Sequence, residues 1–192
     1  LILTHGDFDH AGMSINLLKK IKVNKILLNS NNDNSLEKQI INYSKKHHIK
    51  YKKIKQETLK IQKITLNFLN SQKSFNENDD SLIIYTKIKD QNILLMGDAE
   101  EKRENYILNT YNLPKVDILK VGHHGSNTST SLKLLNKIRP DISLISAGKN
   151  NLYGHPHKQT IENLKNSKVL ITKIDGSIKI NLNTRAIKTC AR

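Results

Sequence analysis

A chain of 192 residues with 36% hydrophobic side chains is one ordinary domain, or most of one, with enough apolar surface for a sizeable core. Its net charge of +15, from 32 Lys and Arg against 17 acids, favours a polyanion such as nucleic acid or an anionic membrane surface, although a composition rich in Lys, Asn and Ile gives the same balance without any partner. The single Cys190 excludes an intramolecular disulfide, and no apolar run approaches the roughly 18–20 residues that span a bilayer.

In chain order, Leu1 to Leu3 read as a strand end that runs into His5, Asp7, Asp9 and His10. A cluster this dense cannot share one strand face, because successive side chains alternate. It fits the loop just past a strand, where imidazole nitrogen and carboxylate oxygen can meet at one or two metal ions. The competing reading is a polar loop with satisfied histidines. The strand that opens the chain leads straight into its densest motif, so we read a fragment or a cut-out domain.

Gly12 to Lys20 predicts a helix with Met13, Leu17 and Leu18 on its apolar side, and Lys25 to Leu28 a short buried strand. Ser35 is the expected cap of a helix to about Lys46, with His47 and His48 at its end. Between Ile49 and Phe68 apolar and polar residues alternate, which predicts two or three half-exposed antiparallel strands. Lys50, Lys52, Lys53, Lys55, Lys60 and Lys63 would then form a solvated face, for solubility in preference to a DNA track. Ser71 to Asp80 is a polar turn, and Leu82 to Ile88 with Ile93 to Met96 a hairpin around Lys89 to Asn92. A helix follows over Glu100 to Tyr111, a strand over Asp117 to Val121, and a helix over Thr130 to Ile138 capped by Ser129 or Ser131. The chain closes with a strand over Asp141 to Ser146, a helix over Gln159 to Asn166, and a hairpin of Val169 to Ile174 with Ser177 to Leu182. Strands alternating with helices, plus antiparallel hairpins, indicate an α/β layered domain.

Three further strand ends carry chemistry. Asp98 follows the run Ile93 to Gly97, where a carboxylate can bridge two cations or simply cap a helix; Glu100 and Glu101 read as first-turn helix acids. His123 and His124 stand between Gly122 and Gly125, which permit the turn that both side chains would need to face one point. We expect one of the two to be a ligand and the other to contact substrate or give a proton to a leaving alkoxide. Ser126 and Asn127 offer hydroxyl and N–H groups ahead of a helix, suited to a phosphate or to plain capping. Lys149, Asn150 and Asn151 could stabilise developing charge, with Lys120 as a further contact. His155 ends this group, and His157 reads as a helix-start residue.

His5-Gly6-Asp7-Phe8-Asp9-His10 resembles the His-x-His-x-Asp-His signature of the metallo-β-lactamase superfamily, with Asp7 in place of its second His. That replacement, with Asn76 to Ser81, Leu94 to Glu100, Leu119 to Ser126 and Gly148 to His157 in the same order, is similar to the C-terminal domain of the ComEC family of DNA-uptake channel proteins. The resemblance implies the αβ/βα four-layer sandwich, with part of the first sheet missing before Leu1, and one domain over residues 1–192. It implies metal ligation by His5, Asp7, Asp9, His10, Asp98, His124 and His155, with Asp9, His123 and His124 catalytic. The superfamily's intervening His is absent, and Asn78 or Asp79 stands where it would come. The oxygen-rich set suits Mn²⁺ or Mg²⁺ as well as Zn²⁺, one or two ions, with no small-molecule cofactor.

The activity so implied is two-metal phosphodiester hydrolysis of a DNA strand, single-stranded by preference. It would act beside the membrane channel of a parent bacterial protein, this domain itself being soluble. The alternatives are a free-standing, cytoplasmic hydrolase of small phosphoesters, thioesters or lactams, and a metal-poor module that binds DNA without cutting it.

Overall fold

The computed structural model describes residues 1–30, 33–69 and 76–191. Its backbone is a seven-stranded sheet in which sequence neighbours are spatial neighbours. β3 (Glu57–Ile61), β4 (Ile64–Phe68), β5 (Ile84–Ile88) and β6 (Gln91–Leu95) pair antiparallel, and β7 (Ile118–Lys120), β8 (Ile142–Ile145) and β9 (Lys168–Ile171) continue parallel to β6. Helices α4 (Glu101–Thr110), α5 (Leu132–Ile138) and α6 (Lys158–Asn163) supply the crossovers, as parallel pairing requires.

Alternate residues split the two faces of this sheet. Leu94, Met96, Leu119 and Ile145 point to the helices and join Ile107, Leu134, Leu135 and Ile138 in the largest core cluster. On the other face Phe68, Leu82 and Ile84 pack against Leu27 and Ile54 of a two-stranded parallel sheet, β1 (Lys25–Asn29) and β2 (Lys50–Ile54). The far side of β1 packs on α2 (Ser14–Lys20) and α3 (Ser35–Lys46) through Leu18, Ile26, Leu28, Ile40 and Ile41. Helix, sheet, sheet, helix is the four-layer sandwich expected. A second small sheet, β10 (Ser177–Ile180) with β11 (Ile187–Cys190), covers Ile118, Ile142 and Leu170 on the remaining inner face.

Several local expectations are corrected. β2 pairs parallel with β1, because α3 carries the chain back to the same end; alternation reports exposure and not direction. β9 joins β8 and β10 joins β11, since a short helix, α7 (Thr172–Asp175), intervenes where we expected a closing hairpin. Asn34, not Ser35, caps α3: its Oδ1 accepts from the N–H groups of Leu36 and Glu37, and Glu37 reaches back to the Asn34 N–H. The polar turn over Ser71 to Asp80 lies partly outside the described residues, and from Asn76 onward it is a turn.

Candidate metal centre

Four loops meet at one edge of the sandwich. Leu1 to Leu3 run beside β1, with Leu3 N–H on Leu27 O at 2.9 Å. The chain then turns through Gly6 into α1 (Phe8–Ala11), whose first turn presents Asp9 and His10. Asp98 follows β6, His123 and His124 follow β7, and the loop to His155 follows β8. The carboxyl ends of parallel strands are where α/β sheets commonly hold ligands.

His10 and His124 converge on the buried Asp98: His10 Nε2 lies 3.2 Å from Oδ1 and His124 Nε2 3.2 Å from Oδ2. Asp9 Oδ2 is 3.1 Å from His124 Nε2, and the two Nε2 atoms are 3.1 Å apart. His5 is wholly buried beneath them, its ring centre 4.2 Å from that of His10 and its Nε2 3.5 Å from Asp7 Oδ2. Two overlapping triads result, His5 with His10 and Asp98, and Asp9 with His10 and His124. Within each triad the ligand atoms lie within 4.8 Å of one another.

The far side of each ring explains its orientation. His124 Nδ1 donates to Ser146 O at 2.7 Å, His10 Nδ1 lies 3.3 Å from Thr4 Oγ1, and His5 Nδ1 lies 3.1 Å from both Thr4 Oγ1 and Ser81 Oγ. Each partner occupies Nδ1 and leaves Nε2 facing the common point, which is how metal-binding imidazoles are usually held. Ser81 Oγ also accepts the Asp98 N–H at 2.9 Å. The anchors Thr4, Ser81 and Ser146 were not singled out from sequence, because hydroxyls and carbonyls occur at every loop.

His123 and His124 reach the same cleft because both take left-handed backbone, with φ of 43° and 52°. His123 turns to Glu100, whose Oε1 is 3.2 Å from its Nδ1, and to Thr128 Oγ1 at 3.2 Å. Glu100 therefore does more than open α4. His155 is buried and shares the cleft, but its ring stands 5.5 Å from that of His123 and 6.4 Å from that of His124, outside both triads. Its Nδ1 has no hydrogen-bond partner.

The remaining expected contacts divide. Asn150 and Asn151 line the cleft of about 790 Å³, with Asn78, Asp98 and His124. Asn151 also clamps the loop, donating to Gly148 O and His155 O and accepting the His155 N–H. Asn78 thus takes the wall position. Asp79 is buried, accepts the Glu100 N–H and has its backbone carbonyl bound by the buried Arg103. Ser126 is buried and bonded to Thr128, and the Asn127 N–H donates to His157 Nδ1. Lys120 and Lys149 line a separate cavity toward β10, with the Lys120 amine donating to Val121 O. None of these four lines the metal cleft.

Electrostatics support ligation. Burial, reinforced by His10, lowers His5 to about 4, so this imidazole is neutral near neutral pH, as a metal ligand must be. Burial raises Asp98, but hydrogen bonds from His10 and His124 outweigh it and hold the carboxyl well below the usual range. The hydrogen bond to Asp98 raises His124, while burial and then His157 lower His155. An imidazolium facing a buried carboxylate is an arrangement that a cation can replace. His5 Nε2, buried without a hydrogen bond, is a donor set aside for such a cation, so the residues fit a divalent ion.

The chain belongs to the metallo-β-lactamase superfamily: residues 1–149 match its family model. Members of that superfamily are generally metal-dependent hydrolases. The chain is similar to ComE operon protein 3 of Bacillus subtilis, 29% identical over 96% of this chain and 25% of that protein. It is similar to Recombination protein 2 of Haemophilus influenzae, 40% identical over 55% of this chain and 13% of that protein. Competence protein ComA of Neisseria gonorrhoeae is 31% identical over 60% of this chain and 17% of that protein. These are ComEC-family competence proteins, as the motifs led us to expect, and this chain spans a quarter or less of their length. Among solved structures, the E377D mutant of CmlA β-hydroxylase shares the fold with a TM-score of 0.58 at 11% identity, covering 89% of this chain and 42% of that one. Among the described residues, no helix is long and apolar enough to cross a membrane.

Proposed function

We propose that this domain hydrolyses phosphodiester bonds in DNA, as the nuclease part of a longer ComEC-like protein at a bacterial membrane. The observation that carries this reading is the convergence of His5, His10, His124, Asp9 and Asp98, each imidazole held from behind with Nε2 inward. These residues, with Asp7 beside His5, would hold one or two ions. The oxygen share of the set favours Mn²⁺ while still accommodating Zn²⁺. Bound there, a divalent ion supplies Lewis acidity toward phosphate and lowers the pKa of water toward neutrality.

The chain's own groups do the rest. Asp9, the more exposed carboxylate, accepts the proton of the attacking water. His10 and His124 flank Asp98 and orient its carboxylate on the cleft floor. His123, held by Glu100 and Thr128, stands where it can give a proton to the departing alkoxide oxygen. Asn78 and Asn150 on the cleft walls would offer amide donors to the phosphate.

The test is incubation of purified domain with labelled single-stranded DNA and Mn²⁺, alongside Asp98→Ala. We expect strand cleavage by the parent. The variant should lose bound metal and more than about 100-fold in rate, since even residues behind a ligand cost 10–100-fold. DNA that survives the metal-loaded parent would sink the nuclease reading. Turnover of a small phosphoester alone would redirect it to a small-ester hydrolase, and DNA binding without cutting to a binding module.

A further inference from the structure

The mouth of the same cleft carries apolar side chains that the fold does not use. Phe8 is 79% exposed, Tyr153 77% and Leu152 97%, and all three line the cleft that contains Asp9, Asp98 and His124. Scattered exposed apolar residues need no explanation; three around one polar cleft form a patch that invites one. Each aromatic ring is backed on one side. Tyr153 stacks on the His155 ring at 5.7 Å and 20°. One edge of the Phe8 ring, Cδ2 and Cε2, rests against Gly12, where a Cβ would fall 2.7 Å from Cδ2. A ring supported from behind and open in front offers a flat face at little entropic cost.

Resting on the hydrolase reading above, we propose that Phe8 and Tyr153 form a stacking clamp for unpaired nucleobases on either side of the phosphate to be cut. Three features of the chain select that occupant. The charge of +15 suits a polyanion. The cleft floor is built for a phosphate held through metal. The rim offers aromatic faces, which take any base by its π-face without reading sequence. In a duplex those base faces are hidden by stacking, so the clamp selects single strands. Leu152 extends the apolar wall beside Tyr153.

The experiment is anisotropy in the presence of chelator, with a short oligothymidylate, a blunt duplex of the same length and an abasic strand with the same phosphates. The parent should bind oligothymidylate on the order of tenfold or more tighter than the abasic strand. Phe8→Ala and Tyr153→Ala should each remove most of that preference. Phe8→Tyr and Tyr153→Phe should keep it, with unchanged melting curves excluding misfolding. Equal affinity for base-bearing and abasic strands overturns the clamp. So does ring-dependent binding to anionic vesicles without base preference, which would make the patch a lipid contact. The two readings fail separately. Base-dependent binding without Mn²⁺-dependent cleavage leaves the clamp standing and removes the hydrolase, whereas cleavage indifferent to bases and rings removes the clamp alone.

Discussion

Ser81 touches two of the residues on which the centre depends, through one hydroxyl: it meets His5 Nδ1 at 3.1 Å and accepts the Asp98 N–H at 2.9 Å. Removing it leaves the buried Asp98 N–H without this partner and His5 Nδ1 with Thr4 Oγ1 alone, so the ring is held less firmly. We therefore expect Ser81→Ala to weaken metal binding by about 10–100-fold, the usual effect of losing a group behind a ligand, measured by competition with a chromogenic chelator. Unchanged affinity would mean that His5 is held by Thr4 alone. The ligand-type residues were legible because His and Asp are sparse and bunch at the ends of apolar runs. The groups behind them were not, because Thr4 and Ser81 are ordinary loop residues until the fold sets them 3.1 Å from a ring. Lys120 and Lys149, next to motifs in sequence, line the cavity toward β10, with Lys120 still close enough to Asp98 and His124 to act on them electrostatically.

Elements were read best where periodicity and punctuation agree. Gly97, with φ of 55°, and the glycines flanking His123 and His124 mark strand ends that fall as expected, and Ser131 caps α5 by accepting the Leu134 N–H. Strand direction was not legible. The residues of β2 alternate whether they pair with β1 or with β3, and only the crossover through α3 decides it. The α3 start offers a check at this scale. Asn34 closes a capping box with Glu37, its side chain also bonds Glu77, and it abuts Gly6, where a Cβ would lie 2.4 Å from Asn34 Nδ2. Asn34→Ala should cost about 1 kcal/mol, lowering the melting midpoint by roughly 2–4 °C for a domain of this size. Because Asn34 braces the turn before Asp7, metal affinity should fall as well. A melting shift with intact metal binding would confine Asn34 to capping.

Among the described residues, part of the positive charge is paired. Lys52 pairs with Glu57, Lys53 with Asp33, Lys115 with Asp141, and Arg185 with Asp117 and Asp141. A polyanion would meet a net charge of +15. If DNA is the substrate, log affinity should fall linearly with log salt, with a slope of about −0.7 for each phosphate neutralised on a single strand. Turnover of a small phosphoester should barely respond. A flat salt profile for DNA would show that the charge reflects composition alone.

The centre is drawn from residues 5–10, 81, 98, 123–124 and 146, and its cleft reaches 155. No shorter stretch of chain contains it. A chain ending before β7 would therefore lack part of the chelator, and metal affinity is coupled to folding that brings these turns together. An ion held there would tie the first loop to the turns after β6 and β7, which are about 90 to 115 residues away in the chain.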